Sequence, residues 1–217
     1  MAVVVGTNSG FVTSAPSNDP NGSGIKLDTQ TMAVKGVTLS DTTNISEIGW
    51  WCSNATEESN YEVGIYTDNG GGSTSLPSNK VGSFYTTNAK GTAAGWKKVT
   101  VDIDVSGSTT YWIAVQLDDT ATQTNVDYSV TAQRRAIKTS STNLPDPWGA
   151  DQGTATNLAI AIYALEDGTP AATGTNFQIN VGDSWKEVSN AYVNVGDVWK
   201  EVASASVNVG DVWKTIF

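Results

Sequence analysis

The chain has 217 residues, a formal net charge of −10 and no histidine, and only 16% of its residues are charged. A surface of that sign repels phosphate backbones, so nucleic-acid binding is not expected. Without histidine no nucleophile–histidine arrangement can form, and with one cysteine, Cys52, neither an intramolecular disulfide nor a Cys/His zinc site can form.

A pair of carboxylates, as in glycoside hydrolysis, remains as a catalytic device, but no spacing singles one out. We therefore read the chain as non-enzymatic, with no cofactor and no metal. Its length suits one β-sandwich plus a small appendage. Short runs of β-branched and aromatic residues among many Gly, Ser, Thr and Asn suit an all-β fold, and no amphipathic helix is evident.

The first residues, Met1-Ala-Val-Val-Val-Gly6, carry no basic region and too short an apolar run for a secretory signal. No stretch is long enough for a membrane-spanning helix. The expected route is synthesis in the cytoplasm with no membrane partner. Ala2–Val5 is a candidate strand, either at an edge of its own domain or pairing with a neighbouring subunit. Gly10–Thr13 is a further apolar run, and Thr31–Leu39 reads as a strand.

From Ile45 the pattern is regular. Strands are predicted at Ile45–Ser53, Tyr61–Thr67, Lys80–Thr87, Trp96–Val105, Thr110–Leu117, Val126–Thr131 and Leu158–Leu165. Turn signals separate them, among them Asp68-Asn-Gly-Gly-Gly72 and Ser106-Gly107. The expectation is a β-sandwich, jelly-roll-like, over residues 1–165. In Tyr111–Leu117 the face of Tyr111, Ile113, Val115 and Leu117 is the predicted core side, leaving Trp112, Ala114 and Gln116 on the other. Cys52 reads as a small core residue. Of Trp50 and Trp51, on opposite faces of one strand, at least one must be core, and the other is left for an outer, contacting face.

The longest irregular stretch with an aromatic is Ser141–Gly149, where prolines flank Asp146. Two readings stand. Trp148 folds back over the end of the sandwich, or it stands on a rim and stacks on a sugar ring, with Asp146 and Asn143 binding hydroxyls. Asp68, Asn69, Asp118, Asp119 and Asp127 offer oxygen ligands for calcium, but no spacing matches a calcium loop, and solvated turn carboxylates are the default. A surface salt bridge accounts for Arg134-Arg135.

Glu166–Thr175 is a linker by composition. Residues 176–217 then repeat. Gly182, Gly196 and Gly210 lie 14 residues apart, as do Trp185, Trp199 and Trp213. Fixed periodicity declares one structural unit used several times. Each unit reads as a β-hairpin closed by Gly-Asp in a type II′ turn. Val195 then faces Val198, Asn194 faces Trp199 and Val193 faces Lys200. A lone hairpin is marginal in water. The three either pack as a small meander around their own tryptophans or form an interaction module through Trp185, Trp199, Trp213 and Tyr192.

These tandem V-x-V-G-D-V-W-K units resemble those that end many tail-fibre, tail-associated and other virion proteins of tailed bacteriophages. The resemblance covers residues 176–217 and implies a virion structural or accessory protein, of decoration or fibre type. Such a protein is a homo-oligomer or contacts other virion proteins. Val63-Gly-Ile-Tyr-Thr-Asp-Asn-Gly-Gly71 followed by Thr110-Tyr-Trp-Ile-Ala-Val115 is similar to jelly-roll carbohydrate-binding and galactose-binding-like domains. That likeness concerns strand order and turn placement over residues 30–165 and carries over no ligand residue. The alternative is a carbohydrate-binding module, a host-glycan adhesin that binds through the Trp148 loop.

Overall fold

Alternating residues need two different neighbours, one on each face of a sheet, and this chain supplies them with two stacked sheets. The computed structural model describes residues 2–26, 30–52, 60–87, 94–118, 125–131, 133–139, 143–150, 153–155, 157–169, 178–181, 184–187, 192–201, 206–209 and 212–215. The chain divides into two compact units, residues 1–169 and 170–217.

The first unit holds β1 (Gly10–Val12), β2 (Ser23–Lys26), β3 (Gln30–Val37), β4 (Asn44–Cys52), β5 (Asn60–Asp68), β6 (Pro77–Thr87) and β7 (Gly95–Asp104). It continues with β8 (Thr110–Asp118), β9 (Asn125–Val130), β10 (Arg135–Thr139), β11 (Gly153–Ala155), β12 (Leu158–Ile160) and β13 (Ile162–Glu166). One sheet has six strands in the order β11-β10-β3-β8-β5-β6. The other has seven: β1-β13-β4-β9-β12, with β2 beside β9 and β7 beside β4. From β2 to β10 the chain changes sheet at every connection except the β5–β6 hairpin. This is the winding of a jelly roll, which joins two sheets into one sandwich. Among the described strands of the two sheets, β1 and β13 pair in parallel; the other pairs are antiparallel, as for β3 with β8 and β4 with β7.

The core lies between the sheets. Met32, Val34, Val63, Ile65, Ile113 and Val115 come from the six-stranded sheet, and Ile45, Ile48, Trp50, Cys52 and Val99 from the seven-stranded one. Cys52 and Trp50 are buried here, as expected, while Trp51 stays half-buried on the opposite face.

Three local expectations change. Ala2–Val5 is not a strand. Val3 is buried, its N–H donates to Ser129 Oγ (3.0 Å), and the N–H groups of Thr7 and Asn8 donate back to Val4 O (3.2 and 3.0 Å). A single core valine and a tight turn hold this segment to its own domain. The predicted strand Leu158–Leu165 breaks at Ala161, which donates to Asp127 O (2.8 Å) and accepts from Trp51 N–H (2.9 Å). There the chain passes from β9 as its partner to β4.

The linker does not begin at Glu166. Glu166 is buried and accepts from Leu39 N–H (2.9 Å) and Thr42 Oγ1 (2.5 Å). Asp167 accepts from Thr43 N–H, Thr43 Oγ1 and Asn44 N–H, and Thr169 N–H donates to Asp41. Composition suggested a free joint, but carboxylates spaced along it satisfy backbone donors of the 39–44 turn. Residues 166–169 therefore belong to the sandwich.

The second unit holds three hairpins: β14 (Gln178–Val181) with β15 (Ser184–Glu187), β16 (Tyr192–Val195) with β17 (Val198–Glu201), and β18 (Ser206–Val209) with β19 (Val212–Thr215). Each is its own two-stranded sheet.

Candidate functional site

The outer face of the six-stranded sheet, which carries Trp112, Ala114 and Gln116, is the first place to look for a binding surface. The register sets Glu62 beside Gln116, Gly64 beside Ala114 and Tyr66 beside Trp112. Ala33 pairs with Ala114 and with Ala136. Side chains along this face therefore run from polar through small to aromatic. They are not open to solvent: Ala33, Tyr66, Trp112, Ala114, Ala136, Leu144 and Trp148 form a second buried cluster with Phe84 against it.

The cover is the segment 143–150. Trp148 is 1% exposed and stands edge-on to Tyr66, with ring centroids 5.2 Å apart. The Tyr66 hydroxyl donates to Pro145 O (2.6 Å), and burial, aided by the negative charges of Glu62 and Asp146, pushes its pKa well above the usual tyrosine range. Leu144 N–H donates to Glu62 Oε2, Trp148 N–H donates to Ser78 O (2.9 Å), and Lys138 Nζ donates to Ala150 O. Lys138 Nζ also lies 5.9 Å from the centroid of the Trp148 ring. Asp146 is exposed and pairs with Lys80 (2.9 Å). Gly64 makes room beneath: a Cβ there would come within 2.3 Å of Phe84 Cδ1. An aromatic ring lying on a strand glycine is a recurrent way to fill that gap.

This geometry corrects the rim reading of Trp148. Sugar stacking needs an open aromatic face, and the ring is buried against Tyr66 instead. Its Nε1–H is buried and has no acceptor among the described residues. Asn143 is exposed at the start of the segment. Trp148, Asp146 and Asn143 thus share one segment, but only the last two face solvent. Sequence reasoning missed Glu62, Tyr66 and Lys138, which hold the segment. Glu62 and Tyr66 share the period-2 face of Gly64, which was the available signal.

At one end of this face Asp68 accepts from Trp112 Nε1 (2.8 Å) and Gly70 N–H (3.0 Å), with Lys35 Nζ 3.5 Å away. Burial raises its pKa, but hydrogen bonds from Ser75, Trp112 and Gly70 and the charge of Lys35 outweigh it, and the carboxyl titrates below its ordinary range. Asn69 Oδ1 accepts from Gly71 N–H (3.1 Å) and Leu76 N–H (3.0 Å). Arg134 donates to the carbonyls of Ser75 and Ser73 (both 2.6 Å), bonds that tie it to the 73–75 backbone where a surface salt bridge was expected. Asp127 accepts from Gly22 N–H (2.8 Å). Asp119 lies outside the described residues. Asp68, Asn69 and Asp127 serve donors of the protein itself, and among the described residues no group of three or more acidic or cysteine side chains converges.

On the outer face of the seven-stranded sheet Trp51, Trp96 and Tyr163 stack edge to face, at 5.5 and 5.3 Å between centroids. The Tyr163 hydroxyl donates to Glu47 Oε1 (2.6 Å), and Trp96 Nε1 donates to Asn18 O (3.0 Å). Aromatic side chains thus pack on the outer face of each sheet, while Lys98, Thr100, Asp102 and Asp104 of β7 stay exposed.

The hairpins differ. The observed register is the predicted one: Asn194 opposite Trp199, Val193 opposite Lys200 and Val195 opposite Val198. Trp185 and Trp213 pair with Asn180 and Asn208 in the same positions of their hairpins. In the middle hairpin the turn is not type II′; the turn residues of the other two lie outside the described residues. Gly196 has φ 61° and Asp197 has φ 65°, and positive φ at both central residues is type I′. Aspartate is among the few residues that tolerate this conformation. In this hairpin Trp199 is 69% exposed, and Tyr192, Val193, Val195 and Val198 are exposed too. Both faces of the middle hairpin thus present apolar groups.

Compared with protein-family models, with curated proteins and with solved structures, the chain gives no match in any of the three.

Proposed function

We propose that this chain is a non-enzymatic structural or accessory protein of a virion, of decoration or fibre type. In this reading the sandwich is the body, and the C-terminal hairpins join it to copies of itself or to other virion proteins. The observation that carries the assembly role is the middle hairpin, with Val193, Val195 and Val198 on one face and Tyr192 and Trp199 on the other, all exposed. Two strands alone are marginally stable, and large apolar side chains on both faces gain stability only when something covers them. Buried tryptophans are the anchors that dominate interface energetics. The virion setting rests on the resemblance of the repeats to those ending phage virion proteins.

The glycan-binding alternative relied on Trp148 as an open platform, and that ring is packed on Tyr66. It therefore ranks second. The test is the native mass by light scattering of the full chain and of a chain ending at Thr169. A defined oligomer that becomes monomeric on truncation supports the reading. Equal masses, together with undiminished association of the truncated chain with particles, would overturn it.

A further inference from the structure

We infer that the partner of the hairpin module is a second copy of this chain, and that hairpins of the two copies stack with the valine face of one on the tryptophan face of the other. This rests on the assembly reading above and specifies its partner and geometry. Cross-strand register sets Val193 opposite Lys200 and Val195 opposite Val198, and on the other face Asn194 opposite Trp199 and Tyr192 opposite Glu201. One face is therefore aliphatic with a lysine position, and the other is aromatic with a glutamate position. Laid on each other, unlike faces bring an indole over valines and a carboxylate toward an ammonium. Like faces would bring lysine to lysine or glutamate to glutamate, which charge complementarity disfavours.

Only residues 188–191 separate β15 from β16 and only 202–205 separate β17 from β18. In the middle hairpin Tyr192, Val193, Val195, Val198 and Trp199 are exposed. The sequence repeats the charge pattern as Lys186-Glu187, Lys200-Glu201 and Lys214-Thr215. Every repeat thus carries a lysine for one face, and the first two carry a glutamate for the other. Unlike-face contact is heterologous, so one chain can be both donor and acceptor of a face.

Two full-length variants test this. One carries Lys186→Glu, Lys200→Glu and Lys214→Glu; the other carries Glu187→Lys and Glu201→Lys. Neither changes a residue of the sandwich, and circular dichroism of each checks that its fold is unchanged. Light scattering should find the parent oligomeric and each variant alone at least about tenfold weaker in self-association. An equimolar mixture should regain the parent's mass, because every contact then joins opposite charges between chains. A monomeric parent, an unchanged mass in either variant, or no recovery on mixing would overturn the inference. If the mixture fails while truncation at Thr169 still abolishes association, only the stacking geometry falls and the assembly reading stands. If truncation changes nothing, the assembly reading falls with it.

Discussion

The sandwich and the hairpins use tryptophan in opposite ways. Trp50, Trp112 and Trp148 are among the largest fully buried side chains of the protein, whereas Trp199 is 69% exposed. In the sandwich, strands distant in sequence bring enough surface together to bury a ring on either side of the six-stranded sheet. Trp50 fills the space between the sheets, and Trp112 and Trp148 lie on the outer face beneath the 143–150 segment. A two-stranded hairpin has no such second layer. The same residue is a core element in one unit and an unsatisfied contact in the other, and the difference is how many layers the local fold supplies.

Truncation should expose that contrast most sharply. Trp50→Ala should cost the sandwich about 3–5 kcal/mol in urea unfolding, through a large cavity in a closed core. Trp199→Ala should leave the sandwich's unfolding free energy within about 0.5 kcal/mol of the parent, yet remove self-association seen by light scattering. Equal effects of the two on sandwich stability would erase the distinction. Trp148→Ala should cost about 3 kcal/mol, with segment 143–150 losing amide-exchange protection. Trp148→Phe keeps an aromatic ring and removes a buried donor that has no acceptor among the described residues, so it should stay within about 1 kcal/mol of the parent.

Acid should act on the sandwich before the hairpins. The Asp68 carboxyl, held below its ordinary range, stabilises the fold fully at neutral pH. That contribution is lost as pH falls through its depressed folded value. Asp167, lowered by the Thr43 hydroxyl and the Asn44 and Thr43 N–H groups, changes with the same sign. Urea midpoints followed from pH 7 to pH 3 should therefore fall, and should fall less steeply in Asp68→Asn. Smaller still, Tyr66→Phe should cost about 1 kcal/mol by removing the hydroxyl that donates to Pro145 O. The smallest effect belongs to the turn. Asp197→Gly should relieve the positive φ and stabilise the hairpin by at most about 1 kcal/mol, read as slower amide exchange in residues 192–201.

Much of the fold is legible because a strand's period of two is a local property. Tyr111, Ile113 and Val115 point into the core as their alternation predicts. β4, β5, β7 and β8 begin and end within a residue or so of the predicted bounds. β2 and β10 went unread: Ser23-Gly-Ile-Lys and Arg135-Ala-Ile-Lys-Thr are too short and too polar to stand out, and they exist because β9 and β3 offer them ladders. The Gly-Asp turn was placed correctly, but its type was not, since Gly-Asp suits either primed turn and the twist of the ladder selects between them.

The sequence by itself determined the all-β class, the inner faces of the strands, the repeat and the cross-strand register within each repeat. All of these follow from alternation and turn residues over a dozen positions or fewer. Only the tertiary structure decided that Trp148 lies under its own segment, that residues 166–169 are bound to the 39–44 turn, and that segment 143–150 covers part of the outer face of the six-stranded sheet. Those outcomes depend on which distant strands stand side by side. A ring at position 148 meets Tyr66 only after β5 and β8 have paired, and no local pattern carries that information.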